Sequence, residues 1–257
     1  MQFGVISALP ELFANWRGSG VMGRAFAGGL LGWEDANPRD YSEGNYHSID
    51  DAAYGGGPGM VMQLQPLLDA LGELTGRMPS ARIHLMAPEG RRFGSEHVDE
   101  WLEHDAHIIV CGRYEGIDAR FLQMAQPQIW SLGDLVLAGG ELAAMCIIET
   151  VARHIPGVLG NADSAGVDSF SHSGGLLDYP HYTRPKSYKK LQVPPALVSG
   201  NHKRIAAWRH AQQCLKTWDW RPDLLRGYLD ECDCDAVRAD YAARLAAYFA
   251  RRGTPKD

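Results

Sequence analysis

Trp130–Leu142, WSLGDLVLAGGEL, is the stretch on which the reading of this chain turns. A Ser-Leu-Gly-Asp turn leads into a short apolar run, Leu135–Leu137, with strand character, and Gly139-Gly140 closes it. Glu141 then opens a helical pattern that runs to about Arg153. A strand, a glycine turn and a helix leave backbone N–H and C=O groups free at the end of the strand. Such groups can hold a flat, polar small molecule against apolar walls. Taken alone, the same glycines could simply turn the chain. What favours a site is that two other strands end in similar loops.

Those strands are Arg82–Ala87 (RIHLMA), ending in Pro88-Glu-Gly90, and Ala106–Cys111 (AHIIVC), ending in Gly112-Arg-Tyr-Glu-Gly116. Phe3–Ala8 (FGVISA) and Leu30–Ala36 are further strand candidates. Helical patterns fall between them: from Pro10 through Leu12, Phe13 and Trp16, then Gln65–Gly76, then Glu96–His104. Strands alternating with helices predict an α/β layer with a mostly parallel sheet. Ligands of such sheets bind outside the carboxyl ends of the strands, where these loops would gather.

Gly18-Ser-Gly20-Val-Met-Gly23 spells G-x-G-x-x-G, but a dinucleotide fingerprint sits directly after the first strand, and here a helix-length insert intervenes. Tyr54-Gly-Gly-Gly-Pro-Gly59-Met60 excludes regular structure and predicts a lid or a close backbone approach; no G-K-[ST] follows it. His104 and His107 lie three apart beside Asp105, with nothing nearby to complete a metal-ligand set. No metal site is expected.

Asn161–Gly175 (NADSAGVDSFSHSGG) is rich in Ser, Gly, Asp and Asn, which predicts a flexible linker between a domain over 1–160 and a second over 176–257. Tyr179–Pro185 is extended and bounded by prolines. Beyond it the chain reads as helical. Ile205, Trp208, Leu215 and Trp218 share a stripe of a helix capped near Ser199, Pro222 starts a short helix, and Val237, Tyr241, Leu245 and Tyr248 mark a last one.

The chain's 257 residues suffice for one large domain or two, and no apolar run approaches the roughly 18 residues of a membrane span. The N-terminus, MQFGVISALPELF, lacks a basic n-region, so a cytoplasmic protein is expected. The five cysteines form no C-x-x-C pair and read as reduced structural thiols. The net charge is −6, yet Tyr182–Arg226 holds ten Lys/Arg against two Asp, leaving −14 on the rest. A basic block on an acidic body points to a protein that meets phosphates on one chosen face.

Together these stretches resemble the bacterial tRNA (guanine-N1)-methyltransferases, the TrmD family. The match runs through Gly4–Ser7, Gly20–Arg24, Asn37–Asp40, Tyr54–Met60, Cys111–Asp118 (CGRYEGID) and Trp130–Leu142. It continues through Val151–Gly160, Asp168–Phe170, the run GLLDYPHYTRP ending at Pro185, and Val193–Arg209. Departures are Ala52-Ala53 for a typical Arg-Pro, Leu135 for an aromatic, Ala138 for Thr and Ala143 for Pro; the stretch after Leu229 matches poorly.

The resemblance implies an α/β fold of mostly parallel strands with a deep trefoil knot (SPOUT type) and a small α-helical C-terminal domain. It implies a homodimer whose active site is shared between subunits, S-adenosylmethionine as methyl donor, magnesium for turnover, and tRNA as partner. The methylated atom would be N1 of the guanosine just 3′ of the anticodon. Asp168 matches the general base and Arg153 the cation that neutralises charge on O6. The donor would sit at Pro88 and Gly90, then Gly112, Tyr114 and Glu115, then Leu132, Gly133, Asp134, Leu135, Val136, Leu137, Gly139 and Gly140. Arg184, Lys203, Arg209 and Lys216 are the expected RNA contacts. The alternatives are another knotted methyltransferase acting on ribosomal RNA or a ribose, a non-catalytic RNA-binding module, and a nicotinamide oxidoreductase built on Gly18–Gly23. A ribose methylation would need no base for a ring nitrogen.

Overall fold

The structure is a computed structural model that describes residues 1–43, 46–160, 166, 168–171 and 175–231. The chain divides into two compact units, Met1–Ala162 and Asp163–Asp257.

In chain order the first unit contains β1 (Gln2–Ile6), α1 (Leu12–Arg17), α2 (Gly20–Ala27), β2 (Gly32–Ala36), β3 (Asp50–Ala52), β4 (Met60–Met62) and α3 (Leu64–Arg77). It continues with β5 (Arg82–Arg92), α4 (Val98–Leu102), β6 (Ala106–Cys111), α5 (Arg120–Ala125), β7 (Gln128–Ser131) and α6 (Glu141–Ala152). Five strands form one sheet in the order β2-β1-β6-β5-β7, and every pairing in it is parallel. All six residues of β6 are buried, as an apolar strand covered on both faces must be.

Side chains alternate across the sheet with a period of two. Phe3, Val5, Ile109 and Cys111 face a core completed by Trp101, Trp130 and the α6 residues Ala144, Ile147, Ile148 and Val151. Ile6, Ile108 and Val110 face the other core, built with Leu67, Leu71 and Leu74 of α3 and with Phe121. Each fully buried Leu, Ile or Phe contributes roughly 1.5–3 kcal/mol of transfer free energy. Two cores of this size fix the strand ends that carry the loops.

The structure corrects several sequence expectations. Leu135–Leu137 is no strand; the strand is Gln128–Ser131, and the apolar run is an open loop in which Val136 is 88% exposed. Gly133 at φ +133° turns the chain out of the sheet, and Ser131 Oγ bonds both the N–H and the C=O of Gly133 at 3.1 Å. The strand expected to stop at Ala87 resumes after a bulge and reaches Arg92. The expected helix over Glu96–His104 is a 3-10 turn, Ser95–His97, followed by the short α4. Gly18 caps α1 and Gly20 opens α2, where a Cβ on Gly23 would stand 2.6 Å from the carbonyl carbon of Gly18; these glycines let two helices turn tightly. The glycine-rich run Tyr54–Gly59 is the tip of the antiparallel β3–β4 hairpin.

The second unit holds a small hairpin of β8 (Ser187–Tyr188) and β9 (Leu191–Gln192), followed by α7 (His202–Trp220) and α8 (Pro222–Glu231). Asn201, not Ser199, caps α7: its side chain accepts the Arg204 N–H at 3.1 Å. Cys214, Leu176 and Leu225 form the buried core, with Trp218 and Tyr228 packed against it. The expected stripe of Ile205, Trp208, Leu215 and Trp218 is only half-buried, because α7 turns Cys214 and Thr217 innermost. Thr217 Oγ1 accepts the Leu177 N–H at 2.9 Å, which accounts for a buried hydroxyl there. Cys232, Cys234 and the last expected helix lie outside the described residues. Among the described residues no helix is long and apolar enough to cross a membrane.

Candidate active site

A cavity of about 420 Å³ opens at the carboxyl ends of β5, β6 and β7. That volume is within the range of small-molecule sites, roughly 300–1,000 Å³. Three loops build it. The first is the bulge in β5: Met86 and Arg91 both register with Trp130, so Ala87–Gly90 leaves the ladder. Pro88 has no N–H to lose from that ladder. Pro88 and Glu89 line the cavity, whereas Gly90 turns away, since a Cβ on it would stand 2.5 Å from the Trp130 nitrogen.

The second loop follows β6 and supplies Gly112, Tyr114, Glu115 and Ile117. It is fastened to β4 by Glu115 N–H to Met60 O (2.9 Å), Met62 N–H to Gly116 O (2.9 Å) and Asp118 N–H to Met62 O (3.0 Å). The paired guanidinium of Arg120 holds the Asp118 carboxyl well below the usual carboxylate range and closes the loop. Tyr114 sits at φ +60°, a conformation that costs a non-glycine residue energy and persists only where its surroundings fix it.

The third loop supplies Leu132, Leu135, Val136, Leu137, Gly139 and Gly140. Gly133 and Asp134, expected beside the ligand, do not line the cavity. Gly140 donates its N–H to Gly112 O at 2.9 Å, and a Cβ on it would stand 2.9 Å from both Cys111 Cα and Met86 Cβ. Only glycine lets the start of α6 pass this close to β6.

Arg113 in the wall pairs with a carboxylate buried behind it. Glu141, 2% exposed at the first turn of α6, accepts from Ser7 Oγ at 2.8 Å and from Arg113 Nη1 at 3.1 Å. A carboxylate there also meets the positive end of the helix dipole. Burial, and then this carboxylate, push the neighbouring Cys111 thiol well above its ordinary range, so it stays protonated. Trp130 lines the cavity, and its ring is anchored by a second buried network. Its Nε1–H donates to His84 Nδ1 at 3.1 Å. That bond leaves His84 Nε2–H to donate to His107 Nδ1 (3.0 Å) and His107 Nε2–H to donate to Trp101 O (3.0 Å). Burial lowers His84 to about 2 and His107 to about 4, so both rings are neutral.

Sequence reading missed Arg113, Met86, Trp130 and Ala143 as lining residues, and Ser7 and Glu141 behind them. Arg113 stood in plain sight inside CGRYEGID; nothing local marks Ser7, which reaches the site only through the sheet order. Arg153, the other residue expected at the reacting base, is the C-cap of α6 in the first unit.

In the second unit, Asp168 is half-buried in a turn and accepts the Ser171 N–H at its carbonyl (3.2 Å). Beside it Ser169 Oγ accepts the Asp178 N–H at 2.9 Å, and Phe170 N–H reaches Leu176 O at 3.1 Å. Arg184, Lys203, Arg209 and Lys216 are all exposed, and the Arg209 guanidinium lies 4.8 Å from the centre of the Tyr179 ring.

Comparison with known proteins agrees with this arrangement. Residues 1–227 match the family model for tRNA (Guanine-1)-methyltransferase TrmD. A tRNA (guanine-N(1)-)-methyltransferase of Shewanella sediminis is 47% identical over 226 residues, 88% of this chain and 93% of the relative. Those of Klebsiella pneumoniae and Vibrio vulnificus are 47% and 45% identical over the same share of this chain and cover 88% and 90% of the relatives. An α/β unit with a cavity at its strand ends, matched along nearly its whole length, belongs to the tRNA (guanine-1)-methyltransferase TrmD family.

Proposed function

We propose that this protein transfers a methyl group from S-adenosylmethionine to N1 of the guanosine immediately 3′ of the anticodon in tRNA. The observation that carries this reading is the cavity itself: three loops of a family member meet around a space that fits a nucleoside-sized ligand. Apolar walls from Leu85, Ile117 and Leu137 suit an adenine face, and the carboxylates of Glu89 and Glu115 suit a cationic ligand. When bound, S-adenosylmethionine supplies a methyl group on a positively charged sulfur.

Guanine N1 carries a proton, and its lone pair becomes available only as that proton leaves and charge spreads to O6. Asp168 is the proposed base. A carboxylate that takes the N1 proton contributes roughly 10²–10⁴ in rate. Arg153 is the proposed cation that holds the charge on O6. Asp168 lies in a Ser/Gly-rich segment, so its ordering by bound tRNA would make transfer follow recognition. Arg184, Lys203, Arg209 and Lys216 would meet the RNA backbone, in a stretch whose charge balance is +8.

The wider reading follows the family: a deep trefoil knot in a donor-binding domain over 1–160, a linker over 161–175, a tRNA-binding domain over 176–257, and a cytoplasmic homodimer that shares its active sites. Magnesium would be needed for turnover, as the family resemblance implies; among the described residues no group of three or more His, Cys, Asp or Glu could hold an ion. The test is transfer of radiolabelled methyl into unmodified tRNA transcripts. Label should enter a transcript carrying that guanosine and be absent when adenosine replaces it; equal labelling of both would refute the reading.

A further inference from the structure

The cavity is lined by one cation, Arg113, and two carboxylates, Glu89 and Glu115. A guanidinium in the wall is a poor neighbour for a ligand that carries a positive charge. Its partner does not line the cavity at all. Glu141 sits behind the wall, 2% exposed, with Oε2 3.1 Å from Arg113 Nη1 and Oε1 held by Ser7 Oγ at 2.8 Å. Three chain segments distant in sequence converge on this carboxylate: the end of β1, the loop after β6 and the start of α6. A strut at such a point would serve any ligand. A charge at such a point also discriminates between ligands.

We infer that Glu141 is a specificity-determining residue: it neutralises Arg113 from behind, so that the cavity prefers a sulfonium donor to the neutral thioether left after transfer. The inference rests on the donor reading above. The donor and S-adenosylhomocysteine share the adenosine and the amino acid portion, and differ by one methyl and one positive charge at sulfur. With Glu141 ionically paired, the wall and its backing sum to two negative charges (Glu89, Glu115 and Glu141 against Arg113). Replacing Glu141 by an amide leaves the guanidinium uncompensated. Two unit charges roughly 10 Å apart, in a medium of effective dielectric about 20, change each other's binding by roughly 10–20-fold, which sets the expected scale at about tenfold. The thioether feels no such penalty. The same preference would help eject product after each transfer.

The experiment is calorimetric titration of the full chain and of Glu141→Gln with both ligands. Charge discrimination predicts that Glu141→Gln weakens S-adenosylmethionine about tenfold more than S-adenosylhomocysteine, and that Glu141→Gln/Arg113→Met restores the ratio. Equal weakening of both ligands, as a strut alone would give, or no weakening, overturns it. Should Glu141→Gln fail to fold, Arg113→Met alone decides: the ratio moves toward the sulfonium, and no movement or the reverse overturns the inference. Failure of the unaltered chain to bind either ligand would instead strike the donor reading.

Discussion

Acid should loosen the first unit through His84 and His107, and by an amount that the buried network fixes. Unfolded imidazoles titrate near 6.5, whereas these two take up protons only near about 2 and about 4, chiefly because burial penalises the charged ring. As pH falls from 6.5 toward 5 the unfolded chain therefore comes to hold nearly two protons that the folded chain lacks. Stability from this pair is fully present above pH 6.5 and falls as pH drops, by about 1.4 kcal/mol per proton per pH unit. Two pH units remove about 5 kcal/mol, the scale of a whole domain's stability. Protonation would also break a defined chain of bonds, since His84 Nδ1 must stay bare to accept from Trp130. The assay is urea unfolding followed by tryptophan fluorescence at pH 6.5, 6.0, 5.5, 5.0 and 4.5. The control is His84→Gln/His107→Gln, which retains every other titrating group. The unaltered chain should lose stability faster than the control, by a difference that approaches about 3 kcal/mol per pH unit below pH 6. Parallel slopes would refute the buried neutral pair.

Other consequences are as direct. Asp168→Ala should bind S-adenosylmethionine normally, measured by calorimetry, and lose methyl transfer by a factor of roughly 10²–10⁴; retained transfer removes Asp168 from the chemistry. Lys203→Ala and Arg209→Ala should each weaken tRNA binding and lower the slope of log affinity against log salt by roughly one; an unchanged slope would make these side chains an ordinary solvated face. Gly140→Ala forces a methyl against Cys111 Cα and Met86 Cβ and should cost about 1–3 kcal/mol in thermal unfolding while weakening the donor; a variant as stable as the original would contradict the close approach.

The sheet was legible wherever burial dictated sequence. β6, AHIIVC, is buried along its whole length, and its expected bounds agree with the structure to the residue. The third loop misled for the opposite reason. Leu135, Val136 and Leu137 are apolar because they form the rim of a cavity, and a period count cannot tell a rim from a strand. The bulge after Met86 was hidden because Pro88 and Gly90 are ordinary strand terminators. Here they interrupt a strand whose ladder resumes at Arg91. Long-range partners were beyond reach altogether. Ser7 and Glu141 are 134 positions apart, and only the adjacency of β1 and β6 brings them within 2.8 Å. In the second unit the apolar stripe of α7 was visible, but which edge faces Leu176 and Leu225 depends on a segment the helix itself does not encode.

Where the donor binds decides whether these three loops form its site. A crystal of the protein grown with S-adenosylhomocysteine should show the ligand between the bulge at Pro88, the loop at Gly112–Ile117 and the loop at Leu132–Gly140. Ligand density beside Gly18–Gly23, or anywhere outside those three loops, would contradict it.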